Sequence, residues 1–190
     1  MEFSVISEDF MRSPTAFQCV DTREFLYSTN NYQPTSSESP ILWEDKNITS
    51  TMVHPIADNG DICVTKGFAE LVMSFDPYGV EFYPASLSTK DGDITERYIL
   101  ALNNIQDVVD HERSVVEVSP NSGNLIIHRL FLSSEKISNI PFQKRVVYRA
   151  KGADTAVFFA PEIYDLLSND SRFSLVRKMK KNTSMRAPKF

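Results

Sequence analysis

The sequence predicts an α+β fold: a mainly antiparallel sheet of short strands and hairpins, with a few short helices packed on it. Three features carry that prediction. Val80, Phe82 and Tyr83 on one side, and Ile94, Tyr98, Leu100 and Leu102 on the other, flank the turn Lys90-Asp91-Gly92-Asp93, the pattern of a β-hairpin. Val115 to Val118 and Leu125 to Leu132 flank Pro120-Asn121-Ser122-Gly123-Asn124 in the same way. Finally, Ile62 to Val72 and Val157 to Leu167, 95 residues further on, each run from a short apolar strand into an amphipathic helix.

Taken in order, residues 1–27 read as short strands, with Phe3 and Val5 alternating early and Phe25, Leu26 and Tyr27 later. Ser28 to Pro40 consists of turn formers and small polar residues. Such a run buries too little apolar surface to offset its ordering entropy, so an exposed mobile loop is expected. Trp43, the only tryptophan, sits in the patch Ile41-Leu42-Trp43 and is expected as a core anchor. In the first strand–helix unit Thr65 is the N-cap, and Phe68, Leu71 and Val72 form one apolar stripe. In the second, Pro161 stands at the first helical position, and Ile163, Leu166 and Leu167 form the matching stripe.

A turn and an alternating strand follow each helix, through Val80 and Phe82 in one unit and Phe173 and Leu175 in the other. Asn103 to Arg113 is polar enough to leave the sheet, tethered by Ile105, Val108 and Val109, and Lys151 to Asp154 reads as a loop. The chain thus divides into N-terminal strands and loop over 1–60, an α+β core over 61–177, and a basic tail over 178–190.

Residue types that carry chemistry are present but not in the spacings chemistry needs. His54, His111 and His128 are far apart, and His111-Glu112 opens like a zinc helix but has Val115 where the second ligand belongs. Counted from Asp91, the EF-hand positions for Gly and the bidentate Glu hold Glu96 and Leu102, so calcium is not expected. There is no nucleophile elbow, Gly-x-Gly-x-x-Gly or Walker loop among the six glycines. No metal, cofactor or catalytic set is therefore expected. A hydrolase built from distant residues, using His111 with a nearby carboxylate, and a regulatory module for a small ligand stay open as alternatives.

Charge divides unevenly. Arg172 to Phe190 holds seven Lys or Arg and no acid, leaving 13 bases against 25 acids in residues 1–171, a net of −12. An acidic body suits a basic protein partner, and it also keeps the chain soluble. The tail lacks the interleaved aromatics that stack on bases, so no nucleic-acid partner is expected. No apolar run approaches the roughly 18–20 residues that span a bilayer, and Met1 to Phe10 has no basic start before an apolar stretch. The expectation is a cytoplasmic protein with no membrane partner. Cys19 and Cys63 lie 44 residues apart, without a Cys-x-x-Cys, and read as reduced thiols.

Glu81, Phe82 and Pro84, then Tyr98, Leu100, Leu102, Asn103, Asp107, Asp110, Glu112 and Ser114 follow one another in an order and spacing that extends through Leu125–Ile137, Val146–Gly152 and Val157–Leu167. In this the chain resembles the immunity protein 11 family of bacterial polymorphic-toxin systems, over most of residues 61–177. The resemblance implies a protein that binds and neutralises a cognate protein toxin and performs no chemistry of its own. Turns held on a rigid sheet carry specificity well, so the expected toxin contacts are the acidic turn Asp91, Asp93 and Glu96 and the acidic stretch Asp107, Asp110 and Glu112. For the second group, capping of a turn is the competing role. Oligomeric state has no signal in the sequence.

Overall fold

Where apolar and polar residues alternate the chain is extended, and where apolar residues recur at three and four it is helical. The computed structural model describes residues 3–8, 15–21, 36–118, 125–181 and 184–186. The strands are β1 (Phe3–Ser7), β2 (Gln18–Cys19), β3 (Ile41–Asp45), β4 (Ile56–Asp58), β5 (Ile62–Thr65), β6 (Val80–Thr89), β7 (Gly92–Leu102), β8 (Ile105–Gln106), β9 (Val115–Val118), β10 (Leu125–Phe131), β11 (Val147–Ala150), β12 (Ala153–Phe159), β13 (Arg177–Lys181) and β14 (Ser184–Arg186). The helices are α1 (Lys66–Met73), α2 (Ser134–Ser138), α3 (Phe142–Val146) and α4 (Pro161–Asn169). The fold is α+β with mostly antiparallel mixed sheets, as the hairpin patterns predict.

Among the described residues the strands form three sheets. Their orders are β2-β3-β6-β7-β5-β4, β13-β1-β12-β11-β8 and β14-β10-β9. The first two share a plan. In the first, β5 and β6 are joined through α1 and both lie antiparallel to β7, which sits between them. In the second, β12 and β13 are joined through α4 and both lie antiparallel to β1. A hairpin strand flanks each unit, β4 beside β5 and β11 beside β12. The likeness between Ile62–Val72 and Val157–Leu167 is therefore an echo in topology as well as in sequence. The difference is the origin of the middle strand: β7 follows β6 directly, whereas β1 comes from the other end of the chain.

Strand alternation sends each sheet's two faces to different cores. Val64, Val80, Leu100 and Leu102 of the first sheet, and Ile6, Val147, Val157 and Phe159 of the second, enclose Phe68, Ala69 and Val72 of α1 with Ile163 and Leu167 of α4. Phe68 meets the rings of Phe159 and Phe173 edge-on, with centroids 6.2 and 6.0 Å apart. The outer face of the first sheet packs Trp43, Cys63, Ala85, Leu87 and Ile99 together, and Trp43 is the buried anchor its sequence context predicts. The outer face of the second packs Tyr148 and Phe158 against Val108, Val109, Leu130, Leu132 and Ile137.

Several expectations need correction. Leu166 is 46% exposed, because α4 turns only Ile163 and Leu167 inward; in α1 Leu71 is half-buried beside Phe68 and Val72. Phe173 and Leu175 are not in a strand. The Asp170 side chain accepts from the Arg172 N–H at 2.9 Å and starts a 3-10 turn over Ser171–Phe173, so the strand begins only at Arg177. Of Lys151 to Asp154 only Lys151 and Gly152 form a turn, since Ala153 already begins β12. The tail begins inside the fold, where β13 pairs with β1 along its length and Ser184–Arg186 pairs with β10. The N-terminal segment is equally built in, through β1 in the second sheet and β3 beside β6 in the first. Thr65 occupies the N-cap position of α1 without a side-chain bond. Residues 22–35, which hold most of the expected mobile loop and Phe25 to Tyr27, lie outside the described residues, as does the turn at 119–124.

The polar run after β7 leaves the first sheet and enters the second. Asn103 N–H donates to the Gly79 carbonyl at 2.7 Å, and β8 then runs parallel to β11. The buried Asn104 amide donates to the carbonyls of Lys144 and Val147, both at 2.7 Å. The Asn104 backbone carbonyl accepts the Arg149 N–H at 2.9 Å. A side chain at Gly79 would collide here: a Cβ would lie 2.3 Å from the Asn103 oxygen, and φ is +67°.

Candidate partner-binding surface

The hairpin of β6 and β7 ends in a short, charged tip whose shape is set by side chains. Asp91 accepts from the Ser50 N–H at 2.7 Å, the Ser50 hydroxyl at 3.0 Å and the Thr89 hydroxyl at 2.9 Å. The Ser50 N–H is the main cause that holds its carboxyl below the ordinary carboxylate range. Asp93 accepts from Ser88 Oγ at 2.5 Å, and Lys46 Nζ donates to the same hydroxyl at 2.6 Å and to the Thr89 carbonyl at 3.3 Å. Lys46 also lies 3.5 Å from Glu44.

Glu96 gives this tip its irregularity. The ladder shifts register between Ala85 and Leu87, which face Arg97 and Ile94, so Thr95 and Glu96 together oppose Ser86. Glu96 takes the extra turn with φ of +55°, a left-handed conformation that costs a non-glycine residue about 1–2 kcal/mol. Its carboxylate is exposed and 3.5 Å from Lys66 Nζ, an exposed pair of little energetic weight.

The two predicted acidic groups do not form one surface. β7 runs from the tip at Gly92 to Leu102, a length of roughly 30 Å, and Asp107 comes after it. Asp107 is exposed and receives Lys136 Nζ at 3.3 Å. Asp110 has a structural part: its Oδ1 accepts the Arg113 N–H at 3.2 Å, its carbonyl accepts the Ser114 N–H at 2.9 Å, and its own N–H donates to Phe131 at 2.9 Å. That is the capping role. Glu112 and His111 are exposed on the same turn.

Sequence reasoning missed the buried cation beneath the hairpin. Arg97 is buried in β7 and donates from Nη2 to the His54 carbonyl at 2.9 Å; its Nε has no partner among the described residues. Cys63, fully buried, lies beside it. Burial pushes the thiol pKa up, and Arg97 draws it part of the way back, so Cys63 is a weak nucleophile. The only available signal was one arginine at an inward register in an alternating strand. His128 is exposed and bonded to Glu117 at 2.9 Å. Among the described residues no three His, Cys, Asp or Glu side chains converge as metal ligands do, and no helix is long and apolar enough to cross a membrane.

These groups can bind and orient a partner through charge and shape, with Asp91 and Asp93 on the braced tip and Glu96 at the strained bulge of β7. The chain matches no family model and no curated protein sequence.

Proposed function

We propose that this chain is an immunity protein that binds and neutralises a protein toxin of a bacterial polymorphic-toxin system, working in the cytoplasm without catalysis. The resemblance of residues 61–177 to the immunity protein 11 family supports the toxin as partner. The observation that carries the binding surface is Glu96: an exposed acid held in a strained conformation at a bulge of β7, the strand that leaves the turn Asp91 clamps to Ser50. Strain of this kind persists where the surrounding fold imposes it, and it clusters at functional positions. Asp91, Asp93 and Glu96 meet a basic surface of the toxin and steer its approach, within an interface of roughly 1,200–2,000 Å².

The test is co-expression with the toxin encoded by the neighbouring gene. Growth is restored by the wild-type chain, and purified toxin associates at least about tenfold more slowly at low salt with Asp91, Asp93 and Glu96 all changed to Lys. Absence of rescue by the wild-type chain sinks the reading. Rescue with an unchanged association rate moves the contact surface away from the tip.

A further inference from the structure

We propose that the open edge of β9 pairs with the same edge of a second copy of this chain, joining two three-stranded sheets into one of six strands. β9 is the outer strand of the order β14-β10-β9, and no strand pairs with its far side among the described residues. Three of its four residues are valine, and Val115 and Val118 are 53% and 60% exposed. Protein edges are normally blunted by short length, charge, Pro or a bulge, and of these β9 has its four-residue length and the single charge of Glu117. β9 has no Lys or Pro, and the bulge of this pair lies in β10, between Ile127 and Arg129.

Charge on the outer face selects the partner. Val115 stands opposite Arg129, while Glu117 on the same face is reached by His128. The guanidinium groups of Arg113 and Arg129 lie over the ring of Phe131, 4.5 and 4.7 Å from its centroid, forming a cationic cluster on a chain of net charge −5. A two-fold axis perpendicular to the sheet keeps each face on its own side, so odd residues oppose odd and even oppose even.

With Val116 opposite Val116, Glu117 of the second copy stands opposite Val115, in the row that continues to Arg129. Two strand spacings, together about 9.6 Å, separate that glutamate from Arg129, a gap their two side chains span. The axis makes the contact twice. Setting Glu117 opposite Glu117 would instead bring like charges together. A four-residue edge buries less than the roughly 1,200 Å² of a stable interface, so the pair is weak and depends on concentration.

Sedimentation equilibrium of the full chain tests this. The weight-average mass is expected to climb toward twice the monomer mass as concentration rises. Val115→Lys with Val118→Lys should hold the chain monomeric at an unchanged melting temperature. Glu117→Arg should weaken self-association by about tenfold at low salt, and adding Arg129→Glu should restore it. A wild-type chain still monomeric at about 1 mM, a dimer that the lysine pair leaves intact, or a charge swap that does not restore association would each overturn the proposal.

Discussion

The carboxylate of Asp91 bonds both the backbone N–H and the hydroxyl of Ser50, 41 residues earlier in the chain, and so ties the hairpin tip to the 3-10 turn at Ser50–Met52. Because these bonds favour the charged form, the folded-state pKa is lowered. The stability it contributes is full above the ordinary carboxylate range and is lost as pH falls through the lowered value. Urea unfolding of wild type and Asp91→Asn should therefore differ at pH 7 and converge in acid, below about pH 4. Curves that stay parallel down to the lowest pH would show that the tie contributes nothing.

Glycine at position 96 should make the protein more stable. It removes the left-handed penalty of about 1–2 kcal/mol and adds roughly 0.5–1 kcal/mol of chain entropy cost, for a net gain of up to about 1.5 kcal/mol. The denaturant midpoint of Glu96→Gly measures this directly. A stabilised variant that binds toxin more slowly would show that the glutamate is kept at this position for binding, at a cost in stability.

Neighbouring leucines of α4 should behave oppositely. Leu167→Ala removes a fully buried side chain and should cost about 2–5 kcal/mol. Leu166→Ala, at an exposed position, should stay within about 0.5 kcal/mol of wild type. Equal losses at both positions would mean that the helix is rotated from the orientation described.

The two thiols should separate cleanly by reagent. Cys19 is exposed and Cys63 is buried, with its pKa raised by that burial. An aromatic disulfide reagent at neutral pH should modify Cys19 in the native protein and reach Cys63 only after denaturant is added. Rapid native modification of both would show that the core around Trp43 opens readily.

Much of the fold was legible because its signals are local. The β6–β7 hairpin declares itself through alternation around Lys90 to Asp93, and α1 and α4 through apolar residues three and four apart. Misreadings arose where one local pattern serves two structures. Phe173 and Leu175, two apart like strand residues, belong instead to a turn initiated by Asp170, and a stripe of three apolar residues on α4 covers a face only two of them wide. At the candidate site, the acids of the tip could be read from the turn composition. The strain at Glu96 could not, because no glycine marks the left-handed position. The ties from Asp91 to Ser50 and from Asn104 to Val147 join residues roughly 40 apart and leave no trace in periodicity.

The placement of β1 has a consequence for how the chain is made. Ser4 lies opposite Phe159 and Val5 opposite Met179, so this inner strand of the second sheet leaves the ribosome long before either neighbour exists. At about 5–20 residues per second the wait is on the order of ten seconds. During that time the first sheet can close on strands made together, while Ile6 remains without the core it will enter. Biogenesis thus proceeds in two stages, and synthesis of β12 and β13 is the event that lets the second half assemble. Such long-range pairing slows folding and leaves a nascent strand open to capture by chaperones.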